Sequence, residues 1–332
     1  MRYLMIDNSI GEYTAINITD DKGRLLIAKN TKITKNIVNR LKNFGIYCIC
    51  IEDDLSKGID VTSPITPETY LQSLSAIEEN NIDRIFDISV RFVQELLTNC
   101  DFLENGYQVL QEYDENTCIH SVNVAINAVT LGINMGFNTV KLNNLAVGAM
   151  LHDIGKSRIP IEVLNKSGKL TAQEWELMKK HPEYGYQMLD KDILIPATVK
   201  AIAYQHHENW DGSGYPRGLK GHNIYGLASI VHICDVFDAL VSKRTYKKAF
   251  SYYDTIKYLK NNKNIMFNPY YLEYFFKYVP IFKPGDTVTL SNGSQAIVLK
   301  NARFDMTRPI IRLVNTRTDI KLQEQPDLHI IS

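Results

Sequence analysis

Apolar residues recur at helical spacing from about Glu68 to about Tyr278, and proline pairs close that run at both ends, Pro64 with Pro67 and Pro280 with Pro284. A run of that length commits the middle of the chain to packed helices, because a helix buries its apolar stripe only against other elements. The expected fold is therefore mainly α, an all-helical body with a small module on each side. Residues 1–62 read as an α+β regulatory module, 63–106 as a helical linker, 107–280 as the main helical domain and 281–332 as a small β-rich module. A chain of 332 residues has length enough for such a division.

The flanks carry their own signals. Tyr13–Ile18 and Arg24–Ile27 flank Asp20-Asp21-Lys22-Gly23, a hairpin signature. Thr34 can cap a helix whose apolar residues are Ile37, Val38, Leu41 and Phe44, with Gly45 suited to its end. The apolar stretch from Ile46 to Ile51 predicts a buried strand. In the tail, Thr287–Leu290 and Ala296–Leu299 flank Ser-Asn-Gly, and Ile310–Val314 and Ile320–Leu322 add two more short strands. Together they predict a small sheet or barrel.

Lys and Arg balance Asp and Glu at 37 each, so global charge draws the chain neither to DNA nor to a membrane surface. Charge is uneven locally. Glu78 to Glu115 holds ten acidic and two basic residues, and Lys243 to Lys283 nine basic and two acidic. Solvated helical faces account for such runs; the alternative is that the basic run borders an anionic ligand. The five scattered cysteines lack CxxC spacing and fit a reducing compartment. No apolar run approaches the ~18 residues of a membrane span, and no leader pattern opens the chain. The expected location is cytoplasmic, with no membrane partner. The helical stretch from Glu68 to Glu112 offers a seam for a homodimer.

Chemistry concentrates in the helical middle. His152 and Asp153 end an apolar helix that begins near Leu142, just before Gly155. Neighbouring helical residues diverge by about 100°, so such a pair can grip different sides of a metal pair. His120, His181, the adjacent His206 and His207, and Asp235 on a helix from Leu227 to Ser242 complete a set of imidazoles and carboxylates. That set is what a binuclear Fe, Mn or Zn site requires. A lone helical histidine is more often a satisfied core or surface residue. Five of the eight histidines in one ordered pattern is a different observation, and His222, His232 and His329 stay outside it.

The motifs Leu-His-Asp-Ile-Gly-Lys (151–156), Ile159-Pro160, Lys-Ser-Gly-Lys-Leu-Thr (166–171), His-Pro-Glu-Tyr-Gly (181–185), His-His-Glu-Asn-Trp-Asp-Gly-Ser-Gly-Tyr-Pro (206–216), Gly218-Leu219 and Asp-Val-Phe-Asp-Ala-Leu (235–240) strongly resemble the HD-GYP family, a branch of the HD phosphohydrolases. The resemblance spans about residues 107–280. It implies that His120, His152, Asp153, His181, His206, His207 and Asp235 hold two divalent ions, iron or manganese, with Asp153 bridging them. It further implies a phosphodiesterase that hydrolyses cyclic di-GMP to pGpG and onward to GMP, by in-line attack of a hydroxide bridging the metals. Within it Lys156, otherwise a solvated loop lysine, acts on the reacting phosphate beside Asp153, and Tyr215 contacts substrate.

Arg244 and Lys247, three residues apart, suit a ligand with two phosphates through one guanidinium fork and one point charge. Trp210 and Tyr246 are guanine-stacking candidates with an equal claim to a core role. Asp238, one turn after Asp235, can orient a ligand or serve the helix. The chain departs from the family pattern at Asn116, where three-metal members carry Glu, at Asn123 and Ser229 in place of Arg, and at Thr245 in place of Pro. These departures bear on metal number and rate. They leave two other readings open: a cyclic-dinucleotide-binding signalling module of low activity, and a phosphohydrolase of another nucleotide messenger.

Overall fold

Short polar side chains set where the helices begin. In the computed structural model, which describes residues 1–19, 24–44, 46, 48–59, 63–99, 117–166, 168–242 and 250–332, seven helices start behind a side chain that accepts a backbone N–H of the first turn. The caps are Thr34, Thr66, Asn81, Asn138, Thr171, Ser251 and Asn268. Pro67 and Pro269 follow two of these caps, where proline's missing N–H is not needed. Residues 1–63 and 280–332 fall in one compact unit, and residues 64–99 and 117–279 in a second, all-helical one.

In the first unit, β1 (Arg2–Met5), β5 (Cys48–Glu52) and β2 (Tyr13–Thr14) form an antiparallel sheet in that order, and β3 (Ile18–Thr19) pairs with β4 (Leu25–Ile27). The stretch read as one strand, Tyr13–Ile18, is thus two. The chain bends between Thr14 and Ile18, so that Tyr13 pairs with Glu52 while Ile18 pairs with Ile27. Helix α1 (Lys35–Asn43) buries Val38 and Leu41 against Ile6, Ile27, Ile33, Ile49 and Ile51. Phe44, counted into that apolar face, sits at the helix cap and is half exposed. The tail forms a four-stranded meander of β6 (Thr287–Thr289), β7 (Gln295–Lys300), β8 (Ile310–Leu313) and β9 (Asp319–Lys321). Arg312 joins it to the N-terminal module by donating to the carbonyls of Leu55 and Lys57.

The second unit contains, in chain order, α2 (Pro67–Glu78), α3 (Ile82–Thr98), α4 (Thr117–Asn134), α5 (Thr139–Leu151), α6 (Ile161–Leu164), α7 (Ala172–Met178), α8 (His181–Leu189), α9 (Ala197–Gln205), α10 (Gly226–Val241), α11 (Tyr252–Asn261) and α12 (Pro269–Tyr278). Helix α5 lies at its centre, packed by α3, α4 and α9, while α10 covers α4. Helix α4 is buried nearly all round, with Val122, Ala125, Ile126, Val129 and Leu131 and also the polar Ser121, Asn123, Asn127 and Thr130 inside. Helices α2 and α3 pack as a hairpin on this body, and Glu95 ties them by accepting from Thr66 N and Thr69 Oγ1. The apolar stripe of α3, Ile85, Phe92, Val93 and Leu96, is therefore buried inside the protomer. Leu71 of α2 and Val90 of α3 are exposed. No helix among the described residues is long and apolar enough to cross a membrane.

Candidate metal centre

Helix ends converge on one place. His120 comes from the first turn of α4, His152 and Asp153 from the end of α5, His181 from the start of α8, His206 and His207 from the end of α9, and Asp235 from the middle of α10. The seven fall into two groups whose donor atoms lie within 4.8 Å of one another: Asp153 with His181, His206 and His207, and His120 with His152 and Asp235. Asp153 faces both. Its Oδ1 lies 3.3 Å from His181 Nε2 and 3.8 Å from His206 Nε2, and its Oδ2 lies 3.3 Å from His152 Nε2 in the other group.

The backbone fixes which imidazole nitrogen points inward. Nδ1 of His152 meets the carbonyl of Ala149 at 2.7 Å, that of His181 meets Met178 at 2.8 Å, and that of His206 meets Ala203 at 3.0 Å. A carbonyl only accepts, so each Nδ1 carries the proton and each Nε2 presents a lone pair. His181 Nε2 and His206 Nε2 then face each other at 3.2 Å, an arrangement of two lone pairs that a shared cation would relieve. Buried His152 Nε2 and Asp153 Oδ1 have no hydrogen-bond partner, which is costly unless a cation uses them. The donor set therefore fits divalent metal ions with imidazole and carboxylate ligands.

Electrostatics agrees. Burial, followed by the charge of neighbouring imidazoles, holds His206 well below the ordinary histidine range. Burial likewise lowers His207 well below that range, and His181 to about 4, against the pull of nearby carboxylates. These rings are neutral near pH 7, the form in which an imidazole can ligate a metal. Burial would raise the carboxyl of Asp153, yet Lys156, His152 and His181 hold it well below the usual range. Lys156 Nζ stands 2.5 Å from Asp153 Oδ2. His120 is the exception. Burial opposes its charge, but Asp235 at 3.0 Å and Asp238 at 2.7 Å raise it to about 9.

Asp238 thus grips Nδ1 of His120 and leaves Nε2 to the group that contains Asp235. A carboxylate behind a metal-ligating imidazole fixes its tautomer and orientation. Glu208 is a residue for which the sequence pattern suggested no part. It is buried, and its carboxylate accepts the backbone N–H groups of Arg217 and Leu219 at 2.8 Å each, holding the loop after His207. Within that loop Tyr215 N donates to His207 O at 3.1 Å, which lays the phenol on the imidazole of His207, centroids 4.8 Å apart and 28° from parallel. Gly214 lets the loop close this way, because a Cβ there would stand 2.2 Å from Asn209 N and 2.4 Å from His207 O. Burial, with Asp235 and Asp153 nearby, raises Tyr215 above the ordinary phenol range, so it remains a hydrogen-bond donor. Trp210 turns elsewhere: its backbone joins Met266, and its indole meets His222 at 5.2 Å. Asn116, Arg244, Thr245, Tyr246 and Lys247 lie outside the described residues, as do Gly45 and the Asp20–Gly23 turn.

The chain matches the HD domain family over residues 99–269. It is 33% identical over 217 residues to cyclic di-GMP phosphodiesterase PA4108 of Pseudomonas aeruginosa, covering 65% of this chain and 52% of that one. It is 35% identical over 237 residues to 3'3'-cGAMP-specific phosphodiesterase 2 of Vibrio cholerae, covering 70% and 45%. The chain thus spans about half the length of these curated relatives. Among solved structures, Bd1817, a HDG"Y"P protein from Bdellovibrio bacteriovorus, superposes with a TM-score of 0.51 at 19% identity, over 82% of this chain and 97% of that one. At that identity the likeness is one of fold.

Proposed function

Because the chain belongs to the HD domain family and carries the motif set of its HD-GYP branch, we propose that it is a metal-dependent phosphodiesterase opening cyclic di-GMP to pGpG. The catalytic body in this reading is the domain of residues 107–280, with 1–62 and 281–332 as accessory modules. One observation carries the proposal: two adjacent groups of imidazoles and carboxylates meet at Asp153, whose two oxygens face different groups. We assign two ions, iron or manganese, to these seven residues. When bound, they supply Lewis acidity that lowers the pKa of water and offsets phosphate charge.

The chain's own groups do the rest. Asp153 and Asp235 oppose two divalent cations with only two negative charges, so the loaded site is net positive and draws a phosphodiester anion. Lys156 leans over Asp153 from the 3-10 turn that follows α5, within reach of the same phosphate. Tyr215, a neutral donor at the wall of the site, can hydrogen-bond a phosphate or sugar oxygen. In the reaction an oxygen from water bonds to phosphorus, one P–O ester bond breaks and the departing sugar oxygen leaves as a hydroxyl. Arg244 and Lys247 are assigned to substrate binding on the sequence pattern alone.

Chromatographic product analysis of metal-quantified protein on a nucleotide panel tests this reading. Cyclic di-GMP should be consumed and linear pGpG should appear. Binding without turnover in fully metallated protein would favour the low-activity signalling module instead. The Vibrio relative makes 3'3'-cGAMP the specific competitor, and faster cleavage of that nucleotide would replace the substrate while keeping the chemistry. Lys156→Ala should lower kcat about ten- to hundredfold, the loss of one charge-assisted contact that strengthens as charge builds. KM and metal content should hold. A change confined to KM would remove Lys156 from the chemical step.

A further inference from the structure

Helix α7 is anchored at its start and has no fully buried residue. Thr171 and Glu174 form a reciprocal capping box, Lys166 Nζ adds an ion pair to Glu174 Oε2 at 2.5 Å, and none of the residues from Ala172 to Met178 is buried. It nevertheless carries Trp175, 47% exposed. An indole on a helix with no buried residue fills no core, and such a ring, apolar in body with one N–H donor, is typical of binding surfaces.

Its position is specific. Trp175 meets the phenol of Tyr215 edge-on at 6.4 Å, Tyr215 lies on His207, and His207 belongs to the metal group with Asp153. Three rings therefore step from the candidate ligands out to solvent. Resting on the phosphodiesterase reading above, we infer that Trp175 is a substrate-specificity residue, the stacking wall for a purine of the dinucleotide whose phosphate lies at the metals. One sugar separates a phosphate from its base, so the base of a bound nucleotide falls at the outer end of this ladder. The capping box and the Lys166 bridge hold the platform in place before ligand arrives, which lowers the ordering cost of binding. Trp210, faced by His222, is left as a structural residue of its loop.

The chain has two tryptophans, so Trp210→Phe leaves Trp175 as the single fluorophore. In manganese-loaded Trp210→Phe protein, cyclic di-GMP and 5'-GMP should each quench the emission, whereas inorganic phosphate, which reaches metals without a base, should not. Trp175→Ala should raise KM for cyclic di-GMP about tenfold or more with kcat nearly unchanged, since one base–aromatic stack is lost. Trp175→Phe should recover most of that affinity, which a role in folding alone would not predict. A protein that turns over cyclic di-GMP with no quench, or a Trp175→Ala variant with wild-type KM, overturns the inference. The outcomes separate from the parent reading. Quenching by 5'-GMP in a metallated protein that cleaves no cyclic dinucleotide would sink the phosphodiesterase assignment and keep the platform. Absence of quenching by both nucleotides would sink the platform whatever the turnover.

Discussion

Asp153→Ala is expected to abolish turnover and to strip the site of metal while leaving the helical unit folded. Asp153 is one of two carboxylates among the seven candidate ligands, and its two oxygens face different imidazole groups at 3.3 Å each. Removing it leaves the group of His181, His206 and His207 with no negative charge, and two cations with no common ligand. Water can fill the space but cannot hold that spacing. The side chain that remains uncompensated is Lys156, whose ammonium is partly exposed and can turn to water, so the fold should survive. Asp153→Asn is the stricter variant. It keeps shape and volume, and its neutral amide can satisfy neighbours by hydrogen bonds, yet it cannot ligate two cations as a carboxylate does. Elemental analysis beside a cyclic di-GMP assay and circular dichroism reads all three quantities. Full metal content with retained turnover in either variant would remove Asp153 from the bridging position.

The sequence pattern already contained the seven residues that the structure gathers into the two groups, because ligands need particular atoms and those atoms occur in few side chains. It also contained the helical body and the four tail strands, since caps, prolines and apolar period are local properties. What it did not contain is pairing at long range. The hydrogen bond of His120 to Asp238 joins residues 118 apart in the chain, so the pattern could offer Asp238 as an orienting group without naming the imidazole it holds. Glu208 sits inside a recognisable motif, but its partners are backbone N–H groups, which every residue possesses. The bend that splits Tyr13–Ile18 leaves only a faint trace: Ala15 and Ile16 are consecutive apolar residues that break the alternation, a signal too short to separate two strands from one. Trp175 illustrates the same limit from the other side. At helical spacing it reads as an ordinary amphipathic position, and only the absence of any buried residue on α7 and the approach to Tyr215 set it apart.

The second large effect is expected from a methyl group. A Cβ at Gly155 would stand 2.0 Å from His181 O and 2.4 Å from Gly185 N. Both neighbours are backbone atoms of α8, so no rotamer change can relieve the overlap. Relief to normal contact requires α8 and the 3-10 turn to separate by about 1 Å or more. His181 opens α8, whereas His152 and Asp153 precede the turn, and the separation therefore pulls the first metal group apart from within. Misplacement on that scale costs on the order of 10²-fold in rate, and overpacking of this kind about 1–3 kcal/mol in stability. Gly155→Ala should accordingly lower metal content, reduce turnover by about 10²-fold or more and lower the melting temperature. Gly185→Ala is the matched control across the same contact: its Cβ would meet Gly155 N at 3.5 Å, an ordinary distance, and it should behave nearly as the parent protein. Wild-type metal content and turnover in Gly155→Ala would mean that the close approach of α8 to the turn is not what sets the ligand geometry. Equal damage from the two substitutions would point to helix α8 itself rather than to the contact.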